Sequence, residues 1–463
     1  IVLTVGMAVD ANVIIYERIR EELREGKSTL MAVTDGFKHS YSAIIDANVT
    51  TILTAIVLAY FGLGPIKGFA VVLIIGVISS LFTAVLVGRL MLDSWLKRNK
   101  DLSFSTGATK NAFANLDIDW LGKRRMAYAI SGTLLVLSVA SFAVRGFELG
   151  VDFKGGYNYN IAFAEGVDVD AEQLRGTLTD AFGGSTPIVK EVAGVNTFNV
   201  VTDYLIDAQA PDSEGMSEEQ INESKPETQV MKALHQGVEA AIGGSVPYEQ
   251  FSDAGGVGTH VTSFSKVGPT IADDITRSAI YAAVFALLLI FLYIFIRFSK
   301  WQYSLGAVAA LFHDSLIVLG IFSIGHGIFG FSMEIDQPFI AAILTVIGYS
   351  INDTVVVFDR IREYLNTYTS GDKTTVINAA VNSTVSRTII TSLTTLFGVL
   401  VLFLFGGASI KGFAFAILVG VLVGTYSSIF VATPLVHDLS DDLKVKRADD
   451  GRRTFSKAAQ KAR

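Results

Sequence analysis

Long apolar runs dominate this sequence, and they leave few folds open. They fall at residues 1–16, 43–61, 66–91, 126–144, 278–298, 303–325, 337–358 and 389–434. The last is too long for one crossing and contains Gly406–Gly407, so it divides into two helices. A crossing needs about 20 apolar residues. Residues 1–16 therefore read as a partial first span, and the chain as the C-terminal part of a longer protein. In lipid each backbone N–H and C=O must be paired internally, which makes these runs helices. The expected fold is a polytopic α-helical membrane protein of about nine spans, the first partial.

Composition agrees. Hydrophobic residues make up 51% and charged residues 17%, where a soluble domain sits near a quarter charged. Mean hydropathy is +0.47. The net charge of −7 argues against nucleic acid as a partner. The sequence has no cysteine, which excludes disulfides, a thiol nucleophile and a thiolate zinc site. Gly26-Lys27-Ser28 lacks the glycine that a phosphate-binding loop needs five positions earlier, where Glu21 stands, so no nucleotide site is expected.

Orientation follows from Lys and Arg near the span ends. Segments 17–42, 92–125, 359–388 and the tail each carry four or more Lys and Arg. Placing the four in the cytoplasm requires an even number of crossings between neighbours, and the apolar runs supply that each time. The segments divide as a membrane part at 1–92, a cytoplasmic linker at 93–125 and a helix at 126–147. An outer domain at 148–273, a second membrane bundle at 274–437 and a basic tail at 438–463 follow. In 148–273 acidic residues outnumber basic ones about three to one. Its periodicity predicts strands at 157–163, 188–192, 198–202, 248–252 and 260–266. Helices are expected at 169–182 and 218–242. That order, roughly β-α-β-β-α-β, fits a small ferredoxin-like α+β domain.

An internal repeat is the clearest signal of function. Gly6-Met-Ala-Val-Asp10-Ala-Asn12 through Glu17-Arg18-Ile-Arg20-Glu21 matches Gly348-Tyr-Ser-Ile-Asn352-Asp353-Thr through Asp359-Arg360-Ile-Arg362-Glu363 at an offset of 342. Ile66-Lys-Gly-Phe-Ala70 returns as Ile410-Lys-Gly-Phe-Ala414. Repeated membrane halves with embedded polar residues are the usual plan of a transporter, its site at the repeat interface. Asp10 and Asp353 each lie about six residues from the cytoplasmic end of an apolar helix, roughly 9 Å deep. A carboxyl group there has to be neutral, hydrated or paired. Arg387 is the available cation. A site balanced between burial and a nearby cation can bind and release a proton. Asp10 aligns with Asn352 rather than Asp353, and Arg387 aligns with Ala43, so the halves are chemically unequal.

Further polar residues fall beside these. Asp46, Asn48, Thr50 and Thr51 in the first half, and Thr388 and Thr391 in the second, can line a hydrated path or bond backbone across helices. Asp46 reads equally well as a backbone partner. His313 and Asp314 fall in mid-span, where packing or water bonding is the expected role. The charges at 17–21 and 359–363 read as salt-bridged helix ends.

These motifs, with DANVTT at 46–51, SRTIITSLTT at 386–395 and Leu149-Gly-Val-Asp-Phe-Lys-Gly-Gly156, resemble the SecD/SecF family of bacterial protein-export membrane proteins. The resemblance covers essentially the whole chain. It implies a fused SecD–SecF arrangement with a transmembrane repeat of the RND superfamily and a small periplasmic domain in the inner membrane. It further implies an auxiliary role in preprotein export, driven by the proton motive force through Asp10, Asp353 and Arg387. The implied partners are the SecYEG channel, the SecA motor and an unfolded preprotein. No cofactor and no enzymatic activity are expected, and the coupling ion is H⁺ or Na⁺. Three other readings compete. An RND-type exporter of small molecules or lipids usually has larger outer domains. A passive assembly partner would need its charges only for packing. An intramembrane aspartyl protease would lack its usual Gly-x-Gly-Asp setting.

Overall fold

The structure is a computed structural model that describes residues 2–62, 64–98, 102–105, 116–192, 196–208, 217–326, 328–329, 331–368 and 372–440. The basic residues Lys100 and Lys110, the acidic positions 212–216 and the tail beyond 440 lie outside the described residues.

The first half contains α1 (Val2–Arg24), α2 (Thr29–Phe61) and α3 (Pro65–Phe82). A π-helical turn (Thr83–Val87) carries α3 into α4 (Gly88–Leu96), and α5 (Arg124–Arg145) follows. The outer domain holds α6 (Val151–Lys154), β1 (Gly156–Ala162), α7 (Ala171–Ala181), β2 (Ile188–Val192) and β3 (Thr197–Thr202). It continues through α8 (Glu218–Ser224), α9 (Pro226–Ile242), α10 (Tyr248–Ser252) and β4 (His260–Val267). The second half is α11 (Pro269–Phe298), α12 (Trp301–Gly325), α13 (Gln337–Thr367), α14 (Lys373–Phe405) and α15 (Ala408–Ser427). A second π turn (Ser428–Ala432) leads into α16 (Thr433–Leu439). Among the described residues eight helical runs are long and apolar enough to cross a membrane. With α1, whose end from Glu17 to Arg24 is largely charged, they form a bundle of nine long helices.

The repeat seen in the sequence is physical. Thr395 of α14 lies beside Gly6 of α1, where an added Cβ would stand 3.5 Å from the Thr395 backbone. Its counterpart is Gly348 of α13, whose carbonyl accepts from Thr51 Oγ1 of α2 at 3.4 Å. Gly76 of α3 abuts Thr4, and Gly420 of α15 abuts Val346, again in matching positions. Close backbone approach through small residues is the ordinary way helices associate in lipid. The two π turns also occupy equivalent places. Such turns concentrate at functional positions, and each is followed by the end of a helix that flanks an acid described below.

The outer sheet is fully antiparallel with order β2-β3-β1-β4, the ferredoxin-like arrangement. Tyr157, Tyr159 and Ile161 alternate inward on β1 against Leu174, Leu178, Leu234 and Val238 of α7 and α9, all fully buried. The expected strand at Tyr248–Ser252 is instead α10. Pro247 enters it at φ −58°, and Tyr248 and Phe251, three apart, put both rings against His235. The helix expected across 218–242 breaks at Lys225–Pro226, because proline is comfortable only in a first turn.

A strip of backbone and side-chain bonds ties the domain to the start of α13. Leu149 and Ile335 form a parallel bridge, with Gly150 N–H donating to the Ile335 carbonyl at 2.9 Å and Ile335 N–H to Glu148 at 2.8 Å. Gln337 N–H donates to Asp152 Oδ2 at 3.0 Å, Asp336 caps α13 through Phe339 N–H at 2.8 Å, and Lys190 pairs with Glu334. Gly155 sits at φ +76° with the Val267 carbonyl close by, so the turn ahead of β1 requires a glycine.

Candidate functional site

The pseudo-symmetric crossing of α1 with α14 and of α13 with α2 brings the repeat motifs face to face. Asp10 and Asp353 are both buried, at 6% and 7% exposure. Together with Arg387 they lie within electrostatic range of one another. The three therefore share one region at the interface of the halves. Among the described residues no ion pair within 4.0 Å joins Arg387 to either acid.

Each member has its own surroundings. Asp10 lines a cavity of about 20 Å³ shared with Asn48, Thr51, Ser80 and Asn352. That is room for about one water. Asn352, the repeat counterpart of Asp10, thus meets it across the same cavity, and Asp10 Oδ1 and Asn352 Oδ1 have no hydrogen-bond partner among the described residues. Asp353 accepts from Ser392 Oγ of α14 at 3.4 Å, and Ser392 is 2.6 Å from Thr425 Oγ1 of α15. Tyr349, 5% exposed, stands near both acids, and its place one residue after Gly348 in an apolar run gives no sign of this in the sequence. Arg387 lines a cavity of about 320 Å³ that also holds Arg18, Glu21, Arg360 and Glu363. By the charge rule this cavity faces the cytoplasm.

Other sequence candidates divide. Asn48, Thr51 and Asn352 join the Asp10 cavity. Thr50 is buried and bonds the Ala47 carbonyl at 2.8 Å within its own helix. Thr391 likewise bonds the carbonyls of Thr388 and Arg387 at 3.0 and 3.1 Å. Asp46 stands apart: it accepts from Tyr293 Oη and Arg297 Nε, each at 2.7 Å, and ties α2 to α11. His313 and Asp314 form a separate buried pair on α12.

The charged ends of the repeat motifs do more than bridge within their helices. Arg360 donates to Glu21 at 2.6 Å, and Arg18 stands 3.6 Å from Glu363. An offset of 342 carries Arg18 onto Arg360 and Glu21 onto Glu363, so the two pairs are reciprocal across the halves. Arg360→Glu should lower the thermal stability of the purified protein, and adding Glu21→Arg should recover it. The expected coupling is about 1–2 kcal/mol; independent, additive losses would show that the cross-half pairing contributes nothing.

An inner bundle with intramembrane acids between two repeats and an α+β domain outside defines a polytopic membrane protein of the internally repeated kind. The family described as "Protein export membrane protein SecD/SecF, C-terminal" matches residues 1–98 and 249–442, and "SecD/SecF GG Motif" matches 140–167. The chain belongs to the SecD/SecF family, as a multi-pass inner-membrane protein with a periplasmic domain. It is 43% identical over 335 residues to protein translocase subunit SecF of Rhodothermus marinus, covering 71% of this chain and 94% of that one. It is 33% identical to SecDF of Brucella abortus over 99% of this chain and 55% of that protein. The crystal structure of SecDF from Thermus thermophilus, titled a translocon-associated membrane protein, superposes with a TM-score of 0.76 at 33% identity, over 95% of this chain and 54% of that one. The chain thus spans nearly all of the SecF relative and about half of the SecDF relatives.

Proposed function

We propose that this chain forms the ion-coupling core of an auxiliary subunit of the Sec preprotein translocase, one that uses the proton motive force to promote export across the inner membrane. The observation that carries this reading is the placement of Asp10 and Asp353 at the repeat interface, with a water-sized cavity beside Asp10 and Arg387 in the cavity below. Protonation of either acid changes its attraction to Arg387 and so the preferred packing of the two halves. The bridge from the outer domain to the start of α13, the helix that carries Asp353, passes such a shift to the periplasmic side. No bond in the cargo is broken. The SecYEG channel and the SecA motor are the proposed partners, and an unfolded preprotein the cargo. The relatives' names, translocase subunits all, support this.

The test is an ion-current recording on the complete protein in inverted vesicles with an unfolded client present. Asp353→Asn and Arg387→Ala should both abolish a client-dependent current. Replacing sodium by an inert cation should leave wild-type current intact if the proton is the coupling ion. Unchanged current with export lost would make the charges structural. A current driven by a small hydrophobe without client would favour an exporter.

A further inference from the structure

The α12 helix carries a second intramembrane ionisable pair that the Asp10–Asp353–Arg387 group does not use. Asp314 is 1% exposed and His313 3%. Asp314 Oδ1 lies 2.9 Å from His313 Nδ1. Its other oxygen accepts from Ser350 Oγ of α13 at 2.6 Å and from Ser427 Oγ of α15 at 2.8 Å. An acceptor-only carboxylate at Nδ1 assigns the proton of a neutral imidazole to that nitrogen. The far nitrogen, Nε2, is then a bare lone pair, buried and without a partner among the described residues. The Tyr426 ring of α15 stacks on the imidazole at 6.1 Å, its hydroxyl turned to Ser131 and the Ala127 carbonyl of α5. Among the described residues the ring contact to the pair comes from Tyr426, and α13 and the end of α15 present the hydroxyls of Ser350 and Ser427. The contacts of 2.6 and 2.8 Å leave no gap between carboxylate and hydroxyls for a metal cation. What the pair has room to take is a proton.

We propose that His313–Asp314 is a second proton-binding site, with the proton added at His313 Nε2, and that its occupancy is felt at Asp353. This rests on the proton-coupled reading above. The added proton converts imidazole to imidazolium, so a pair with one net negative charge becomes neutral while Asp314 keeps its hydrogen bonds. Two physical links run to Asp353. Ser350 lies three residues, about one turn, before Asp353 on α13. Ser427 lies two residues after Thr425, which bonds Ser392, the donor to Asp353. Gly424 permits this approach, since a Cβ there would stand 2.8 Å from that of Ser350.

The test reads proton binding rather than transport, so it fails separately from the functional reading. Infrared pH-difference spectra are taken on the complete protein in lipid, with histidine labelled in the ring. A titrating imidazole component should disappear in His313→Asn, whose amide N–H can replace the Nδ1 donor. The same component should persist in Asp353→Asn with its midpoint moved by about half a pH unit, because coupling between sites is reciprocal. Should His313→Asn fail to fold, Ser350→Ala leaves both titrating groups in place and must shift that component. A His313→Asn spectrum identical to wild type, or a midpoint unmoved in both Asp353→Asn and Ser350→Ala, overturns the proposal.

Discussion

Asp10→Asn should reduce the client-dependent ion current at least about tenfold, and adding Asn352→Asp should return a measurable part of it. The argument is geometric. Asp and Asn have nearly the same shape, so the single change removes an acid without opening space. Asp10 and Asn352 are repeat counterparts, and both line the one cavity of about 20 Å³. The double variant therefore keeps a single carboxyl group in that cavity, with the same water-sized space and the same Asn48 and Thr51 beside it. Only the helix that bears the acid changes, from α1 to α13. If the proton path needs an acid in the cavity, the swap restores current. If it needs the acid on α1 in particular, because the halves move unequally, the swap stays dead while Asp10→Asn alone is also dead. A single Asp10→Asn variant with wild-type current would remove Asp10 from the path altogether. Protein yield and the melting temperature of each variant separate loss of conduction from loss of fold.

Much of this is legible in the amino-acid sequence. Runs of about 20 apolar residues are unambiguous in a way that short amphipathic segments are not, and nine long helices followed from them. The repeat was legible because Gly6 and Gly348, and the Arg-Ile-Arg-Glu ends after them at 18–21 and 360–363, recur in register. What stayed hidden were partnerships across long separations. Arg18 and Arg360 have carboxylates three residues away on their own helices, so local spacing already accounted for them, and nothing in the sequence pointed to the reciprocal bonds across the halves. Asp46 looked like a member of the polar path because it precedes Asn48 and Thr50. Its partner, Arg297, lies 251 residues away and only the packing of α2 on α11 joins them. The two π turns leave no mark on apolar periodicity, since a single extra residue is lost in a helix that is apolar all round. The short α10 is hidden for the opposite reason: its five residues hold too few periods to tell 3.6 from 2.

The strip that joins the outer domain to the bundle should weaken as pH rises from about 4 to about 8. Burial is the largest influence on Asp336, and Glu334 and Asp152 nearby add to it; the Phe339 amide and Lys190 oppose them, and the carboxyl is pushed up to about 7. Asp152 is raised too, chiefly by burial. An acid whose folded value exceeds its unfolded value near 3.9 binds its proton more tightly in the folded state. Its stabilising contribution is complete below about 4 and is lost as pH climbs through 7. The size is at most about 4 kcal/mol, and less to the extent that water reaches the half-buried side chain. Hydrogen exchange at the Gly150 and Ile335 amides, corrected for intrinsic rate, reads the opening of this strip directly. Protection in the wild type should fall across that range. Asp336→Asn keeps a good helix cap for Phe339 but cannot ionise, so its protection should change much less with pH and exceed that of the wild type at pH 8. Asp152 and Asp336 titrate as neighbours, so a residual slope in Asp336→Asn belongs to Asp152 and should vanish in the double variant Asp152→Asn/Asp336→Asn. Equal protection in wild type and Asp336→Asn at every pH would show that the charge on Asp336 costs the junction nothing.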